Sequence, residues 1–149
     1  MSIFDGISDV SVSRSGRYIE PGFHNLTVRE IKKFESSKKE GQWFFCVEFD
    51  VDEYRPSPTI EHPAYSPGQI VTWLVNLERG ETALRNIRGF AEALLPDVGP
   101  GDIDPAAMDK LCESDQVARG IRIQADAVGI TTSRGNPFTK VNWIAVTDA

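Results

Sequence analysis

The chain has 149 residues, of which 40% are hydrophobic and 26% charged, and its net charge is −6 at neutral pH. This length fits one domain, numbered 1–149 here, that buries enough surface to fold without disulfides or metals. The acidic balance argues against a protein that coats duplex DNA through a lysine-rich surface. There is no secretory signal and no apolar run of membrane-spanning length, which predicts a cytoplasmic protein that does not enter a membrane.

Alternating apolar residues predict three strands in the first half of the chain. These strands cover residues 23–34, 43–52 and 69–77, and a slip in the alternation at Ile31 indicates a β-bulge in the first of them. We expect residues 1–16 to form a flexible arm. Residues 53–68 contain four of the nine prolines and are expected to form an extended loop.

The second half of the chain changes period and then returns to alternation. A 3.6-residue apolar stripe predicts a helix at 82–95, and Asp104 followed by Pro105 marks the start of a second, shorter helix. Strands are predicted at 120–128 and 138–146, with Trp73 and Trp143 in the core. Cys46 and Cys112 have no paired spacing and are expected to act as small core hydrophobes, with a disulfide between them as the alternative.

The predicted order is three strands, a helix and two strands. This is the order of an OB-fold, an all-β five-stranded Greek-key barrel that carries a helical insertion between strands 3 and 4. An open sheet with helices on one side is the structural alternative.

Residue types that carry catalysis are not arranged as a recognisable site. His24 and His62 have no metal-ligand partners at suitable spacing, and we find no phosphate-binding loop and no nucleophile elbow. Asp50, Asp52 and Glu53 form the one tight acidic cluster, and a metal-dependent nuclease built on it is a distant alternative. We therefore expect a non-enzymatic protein without metal or cofactor.

Binding of single-stranded nucleic acid requires cations that follow the phosphates and aromatic faces on which bases stack. Residues 14–41 carry seven basic and four acidic side chains in an otherwise acidic chain, and aromatic residues follow directly. In an OB barrel the face of strands two and three, between the first and last hairpin loops, is the usual ligand surface. The candidate nucleic-acid-binding residues are Arg29, Lys32, Lys33, Lys38, Lys39, Trp43, Phe44, Arg134 and Lys140.

Phe44 is the most informative of these candidates. Alternation places it on the same face as Glu48 and Asp50, which should face solvent, and an exposed phenylalanine there is available for base stacking. The alternative is that the proline-rich loop covers the ring. Trp43 begins the same strand and is placed either at the barrel mouth or against the ligand.

The layout resembles the small OB-fold single-stranded-DNA-binding proteins of bacteriophages. The matching features are Gly22-Phe23, the segment from Ser36 to Gly41 before an aromatic strand, the strand Gly68 to Leu77, the helix Ala83 to Leu95, and the segment Ser133 to Asn136.

This resemblance implies sequence-tolerant coating of single-stranded DNA during phage replication or recombination, in the host cytoplasm. Replication or recombination proteins and further copies of the chain are its candidate partners. Many proteins of this kind end in an acidic tail, which Thr147-Asp148-Ala149 does not form. The alternative function is a non-catalytic phage structural or adaptor module that uses the barrel for protein contacts.

Overall fold

A computed structural model describes residues 17–131, 135 and 137–146 of the chain. The predicted arm at 1–16 lies outside these residues. The described part contains six strands and two α-helices, and most predicted elements are confirmed to within a few residues. The elements are β1 (Arg17–Tyr18), β2 (Gly22–Glu35), β3 (Trp43–Pro56), β4 (Ile70–Asn76), α1 (Glu81–Leu94), α2 (Pro105–Leu111), β5 (Arg122–Thr131) and β6 (Pro137–Ala145).

All six strands form one sheet in the order β1-β4-β3-β2-β5-β6, which curls into a half-barrel. Neighbouring strands are antiparallel except for β1, which pairs parallel to β4 through Arg17 and Tyr18. The fold is therefore mostly β with two short helices. Neither helix in the described part of the chain is long and apolar enough to cross a bilayer.

The long strand β2 bends because its pairing is interrupted by bulges. Val28 pairs with Phe49 and Glu30 with Glu48, so Arg29 is the extra residue, and the predicted bulge is confirmed. Beyond the bulge, β2 no longer pairs with β5, and the buried Gln116 supplies hydrogen bonds to its backbone instead. Its side chain accepts a hydrogen bond from the Ile31 N–H and donates one to the Ile31 carbonyl, so these buried backbone groups stay paired.

The core lies inside the curl of the sheet, beneath α1. Phe90 of α1 makes edge contacts with Phe45, Phe49 and Trp143, and a tilted contact with Trp73, at centroid distances of 5.0 to 6.1 Å. Trp73 is buried and Trp143 packs against the same cluster, as the sequence predicts. Helix α2 starts as predicted, with the Asp104 carboxylate accepting a hydrogen bond from the Ala107 N–H.

The predicted loop at 53–68 is partly wrong, because β3 continues to Pro56. Pro56 is the last residue of the strand, where a missing N–H removes little pairing. Tyr54 belongs to the core inside the curl of the sheet and is 8% exposed. The two-residue strand β1, which periodicity cannot reveal, raises the strand number from the predicted five to six.

The rest of the 53–68 segment is anchored by a buried cluster of aromatic rings. His24 is stacked on Tyr54 at 4.4 Å between centroids, and Tyr54 on Tyr65 at 4.7 Å. The Tyr65 hydroxyl accepts a hydrogen bond from the Glu20 N–H and lies 2.5 Å from Nε2 of His24. Burial lowers the pKa of His24 to about 4, so the ring is neutral at physiological pH.

Candidate nucleic-acid interface

A cleft rich in aromatic rings lies where the ends of four strands meet. Its volume is about 130 Å³, and we call it the aromatic cleft. It is lined by Tyr18, Phe44, Trp73, Leu74, Val75, Asn76, Arg79, Ala83, Asn86 and Phe138.

The fold brings these residues together from distant parts of the sequence. Phe44 is at the start of β3 and pairs with Asn76 at the end of β4. A 3₁₀ turn over Leu77–Arg79 follows β4, and Phe138 is at the start of β6. The strand ends thus place side chains of β1, β3 and β6 around the turn that carries Arg79.

Arg79 is the cation of this cleft. Its guanidinium lies 4.7 Å from the centroid of the Phe138 ring, which is cation–π distance. The cleft is also lined by Tyr18, whose hydroxyl donates a hydrogen bond of 3.4 Å to the Leu74 carbonyl. Burial raises the pKa of Tyr18, and the positive charge of Arg79 opposes that rise because it favours the ionised hydroxyl.

Phe44 is half-buried and lines the cleft. Its ring is stacked on Phe34 of the neighbouring strand, with centroids 5.4 Å apart and planes at 24°. The proline-rich segment instead packs through Tyr65 on His24 and Tyr54. Phe44 therefore has one face supported by Phe34 and contributes to a surface on which a planar ligand can stack.

Trp43 does not line the cleft. It precedes Phe44 in the strand, and consecutive strand residues point to opposite faces of a sheet. Trp43 is 41% exposed at the start of β3.

Four of the predicted phosphate-binding cations form ion pairs with carboxylates of the same chain. The pairs are Arg29–Asp50 at 3.4 Å, Lys32–Glu48 at 3.4 Å, Lys33–Asp109 at 2.6 Å and Lys39–Glu78 at 2.9 Å. Each pair lowers the positive charge that the hairpin region presents to a phosphate backbone.

The predicted cations also divide by position. Lys33 is beside α2 and lines a larger apolar cavity, of about 360 Å³, between α1 and α2. Arg29 and Lys32 lie beside carboxylates of β3. Lys38 and Lys39 are in the β2–β3 hairpin loop, which the Lys39–Glu78 pair ties to the turn carrying Arg79.

Lys140 is exposed on β6, two residues beyond Phe138. Within the described residues, neither Lys38 nor Lys140 belongs to a salt bridge. Arg134 lies outside the described residues.

The outer face of β3 differs from the solvent-facing strand predicted from alternation. Cys46 is fully buried and Glu48 is 4% exposed. Both residues are in a central strand, and Cys46 lies in register between Lys32 and Leu74. Towards the far end of β3, Asp50, Asp52 and Glu53 form an acidic row that accepts hydrogen bonds from Arg29, Thr27 and Asn25.

Sequence reasoning missed Tyr18, Arg79 and Phe138. The sequence predicts Phe138 only as the start of a strand, and Tyr18 lies between the predicted arm and the first predicted strand. The signal for Arg79 was the Arg79-Gly80 pair between a strand and a helix, which is typical of a turn. The convergence of the three residues depends on how β1 and β6 approach the end of β4.

Among the described residues, no three histidine, cysteine or acidic side chains are grouped as a metal site. The sequence matched no protein-family model, and a search of curated proteins gave no match either.

Proposed function

We propose that the protein binds single-stranded DNA without sequence preference, by electrostatic contacts to the backbone and by stacking of bases on aromatic rings. The observation that carries the proposal is the aromatic cleft. It combines the rings of Tyr18, Phe44 and Phe138 with the guanidinium of Arg79. In keeping with the phage resemblance, we place this activity in phage DNA replication or recombination in the host cytoplasm.

The chemistry of the cleft favours bases over other planar ligands. Every base presents a π face, so stacking on partly exposed rings tolerates any sequence. Arg79 supplies a positive charge within reach of a phosphate, and Asn76 and Asn86 add amides at the cleft wall. A duplex, whose bases are already stacked and paired, cannot use these rings.

The fold supports the same location. The strand order β4-β3-β2-β5-β6, with α1 between β4 and β5, is consistent with a barrel of the OB type to which β1 is added. In such barrels ligands bind across the second and third strands, between the first and last hairpin loops. Those strands correspond to β3 and β4, and the aromatic cleft lies where β3 begins, after the β2–β3 loop, and where β4 ends.

The charges near the cleft define a short path for the strand. The candidate cations are Lys38 in the β2–β3 loop, Arg79 in the wall of the cleft and Lys140 on β6, two residues beyond Phe138. The acidic row Asp50, Asp52 and Glu53 repels phosphates from the far end of β3. A strand that crosses the cleft therefore meets about three cations, and log affinity should fall against log salt with a slope of about −2, at 0.7 per contact.

Replacing Lys38 with alanine tests this path. We expect the salt slope to become shallower by about 0.7, because one phosphate contact is lost. The matched control is Lys33→Ala. Lys33 is held by Asp109 beside α2, so its loss should leave the slope unchanged. Fluorescence anisotropy of a labelled oligothymidylate at several salt concentrations measures both slopes, and an effect of Lys33→Ala with none of Lys38→Ala would place the strand elsewhere.

A structural or adaptor module is the second candidate. It is favoured by the hairpin of β5 and β6, where Val128 and Ile130, neighbours on one face of β5, are 44% and 41% exposed. Exposed apolar side chains close together are typical of protein contacts.

A further inference from the structure

We infer that Glu78 acts as an internal competitor of the nucleic acid for Lys39, so that its carboxylate limits the affinity of the aromatic cleft for single strands. This inference rests on the proposed function and concerns the regulation of the same site.

The geometry places Glu78 where a phosphate would bind. Oε1 of Glu78 lies 2.9 Å from Nζ of Lys39, which is the distance of a charge-assisted hydrogen bond. Glu78 immediately precedes Arg79 in the 3₁₀ turn. Its carboxylate is thus bound to the hairpin lysine, one residue along the chain from the cation of the cleft, and it occupies a donor that a phosphate oxygen would otherwise use.

The turn holds Glu78 in this place through its backbone. The Asn76 side chain accepts a hydrogen bond from the Glu78 N–H at 2.9 Å, and the Gly80 N–H donates to the Leu77 carbonyl at 3.1 Å. Gly80 has a φ of +66°, a conformation that favours glycine, and it lets the chain turn directly into α1. The position of the competing carboxylate is therefore set by the backbone of the turn.

The pair is weak enough to be displaced. The side chains of Lys39 and Glu78 are 63% and 39% exposed, and exposed ion pairs of this kind contribute little to stability. A phosphate that replaces the carboxylate recovers the same charge-assisted hydrogen bond. The displaced carboxylate of Glu78 remains nearby, and its negative charge repels the phosphates of the bound strand, which keeps binding reversible.

Glu78→Gln tests this inference. The variant keeps the shape of the side chain and removes its charge, so Lys39 becomes available to a phosphate. We expect the affinity for oligothymidylate to rise about three- to fivefold at low salt, and the salt slope to steepen by about 0.7, from about −2.1 to about −2.8. The melting temperature should change little.

The control is Glu92→Gln. Glu92 also forms an exposed ion pair, with Arg88 at 3.1 Å, and its substitution changes the net charge by the same amount at the other end of α1. An affinity gain in Glu78→Gln alone supports the inference. Equal gains in both variants would overturn it, because net charge would then set the affinity.

The results also separate this inference from the proposed function. If the wild type binds the oligonucleotide and Glu78→Gln binds it equally well, the competition by Glu78 is refuted and the proposed function stands. If neither protein binds single strands even at low salt, the proposed function fails and the inference fails with it.

Discussion

Replacing Phe44 with alanine is expected to weaken binding of single-stranded DNA about thirtyfold, which corresponds to about 2 kcal/mol of lost base stacking. The salt slope should stay the same, because no charge is removed. Titration of a labelled oligothymidylate at several salt concentrations measures both quantities. A change in slope without a change in affinity at high salt would contradict this assignment.

Phe34→Ala is the matched control for this experiment. It removes the same Phe34–Phe44 ring pair, so both variants lose similar packing energy. Phe34 does not line the aromatic cleft, and its loss should lower affinity by less than about threefold. Equal losses of affinity in the two variants would mean that Phe44 supports the fold and does not stack on bases.

The stability of the protein is expected to fall by about 3 kcal/mol between pH 6.5 and pH 4 through His24 alone. Burial lowers the pKa of His24 to about 4, against about 6.5 in the unfolded chain. Above pH 6.5 neither state binds the proton, so the histidine contributes no pH dependence. Below pH 6.5, His24 binds a proton in the unfolded state but not in the folded state. The free energy of unfolding therefore decreases as the pH falls to about 4.

Urea denaturation across this pH range, compared between the wild type and His24→Gln, measures the effect. Glutamine keeps a hydrogen-bonding group near Tyr65 but does not titrate, so the difference between the two proteins isolates the histidine from the many carboxylates. Identical pH profiles for the wild type and His24→Gln would show that the buried ring does not control acid sensitivity.

Much of the fold follows from local pattern. Periodicity predicts those elements whose signal lies within a few neighbouring residues. Examples are the alternation of Trp43 to Val51, the apolar stripe of α1 and the Asp104-Pro105 helix start. The prolines of residues 53–68 indicate a loop, but β3 continues to Pro56. A proline in a strand lacks only the N–H donor. At the last residue of a strand that restriction has little consequence.

The charge of the candidate site could not be predicted in the same way. Lys33 and Asp109 are 76 residues apart in the sequence, and no local pattern reveals that they pair. The same holds for Lys39 and Glu78. A basic segment in the sequence therefore overstated the number of cations available to phosphates, whereas the aromatic candidate Phe44 does line the cleft.

The identity of the cleft also depends on long-range contacts. Tyr18 is brought to the end of β4 by the parallel pairing of β1, and Phe138 by the end of the β5–β6 hairpin. Both residues are unremarkable within their own segments. Only their positions around Arg79 make them candidates for base stacking.

The most direct test of the central claim compares single-stranded and duplex DNA of equal length and matched composition in one competition experiment with the wild-type protein. Stacking on the aromatic cleft requires unpaired bases, so we expect the single strand to bind at least about tenfold more tightly than the duplex. Raising the salt from about 50 to about 200 mM should cost roughly twentyfold in affinity and preserve this preference. Equal affinity for the two forms, or no binding of the single strand at the lower salt concentration, would contradict the proposal that this cleft holds a nucleic-acid strand.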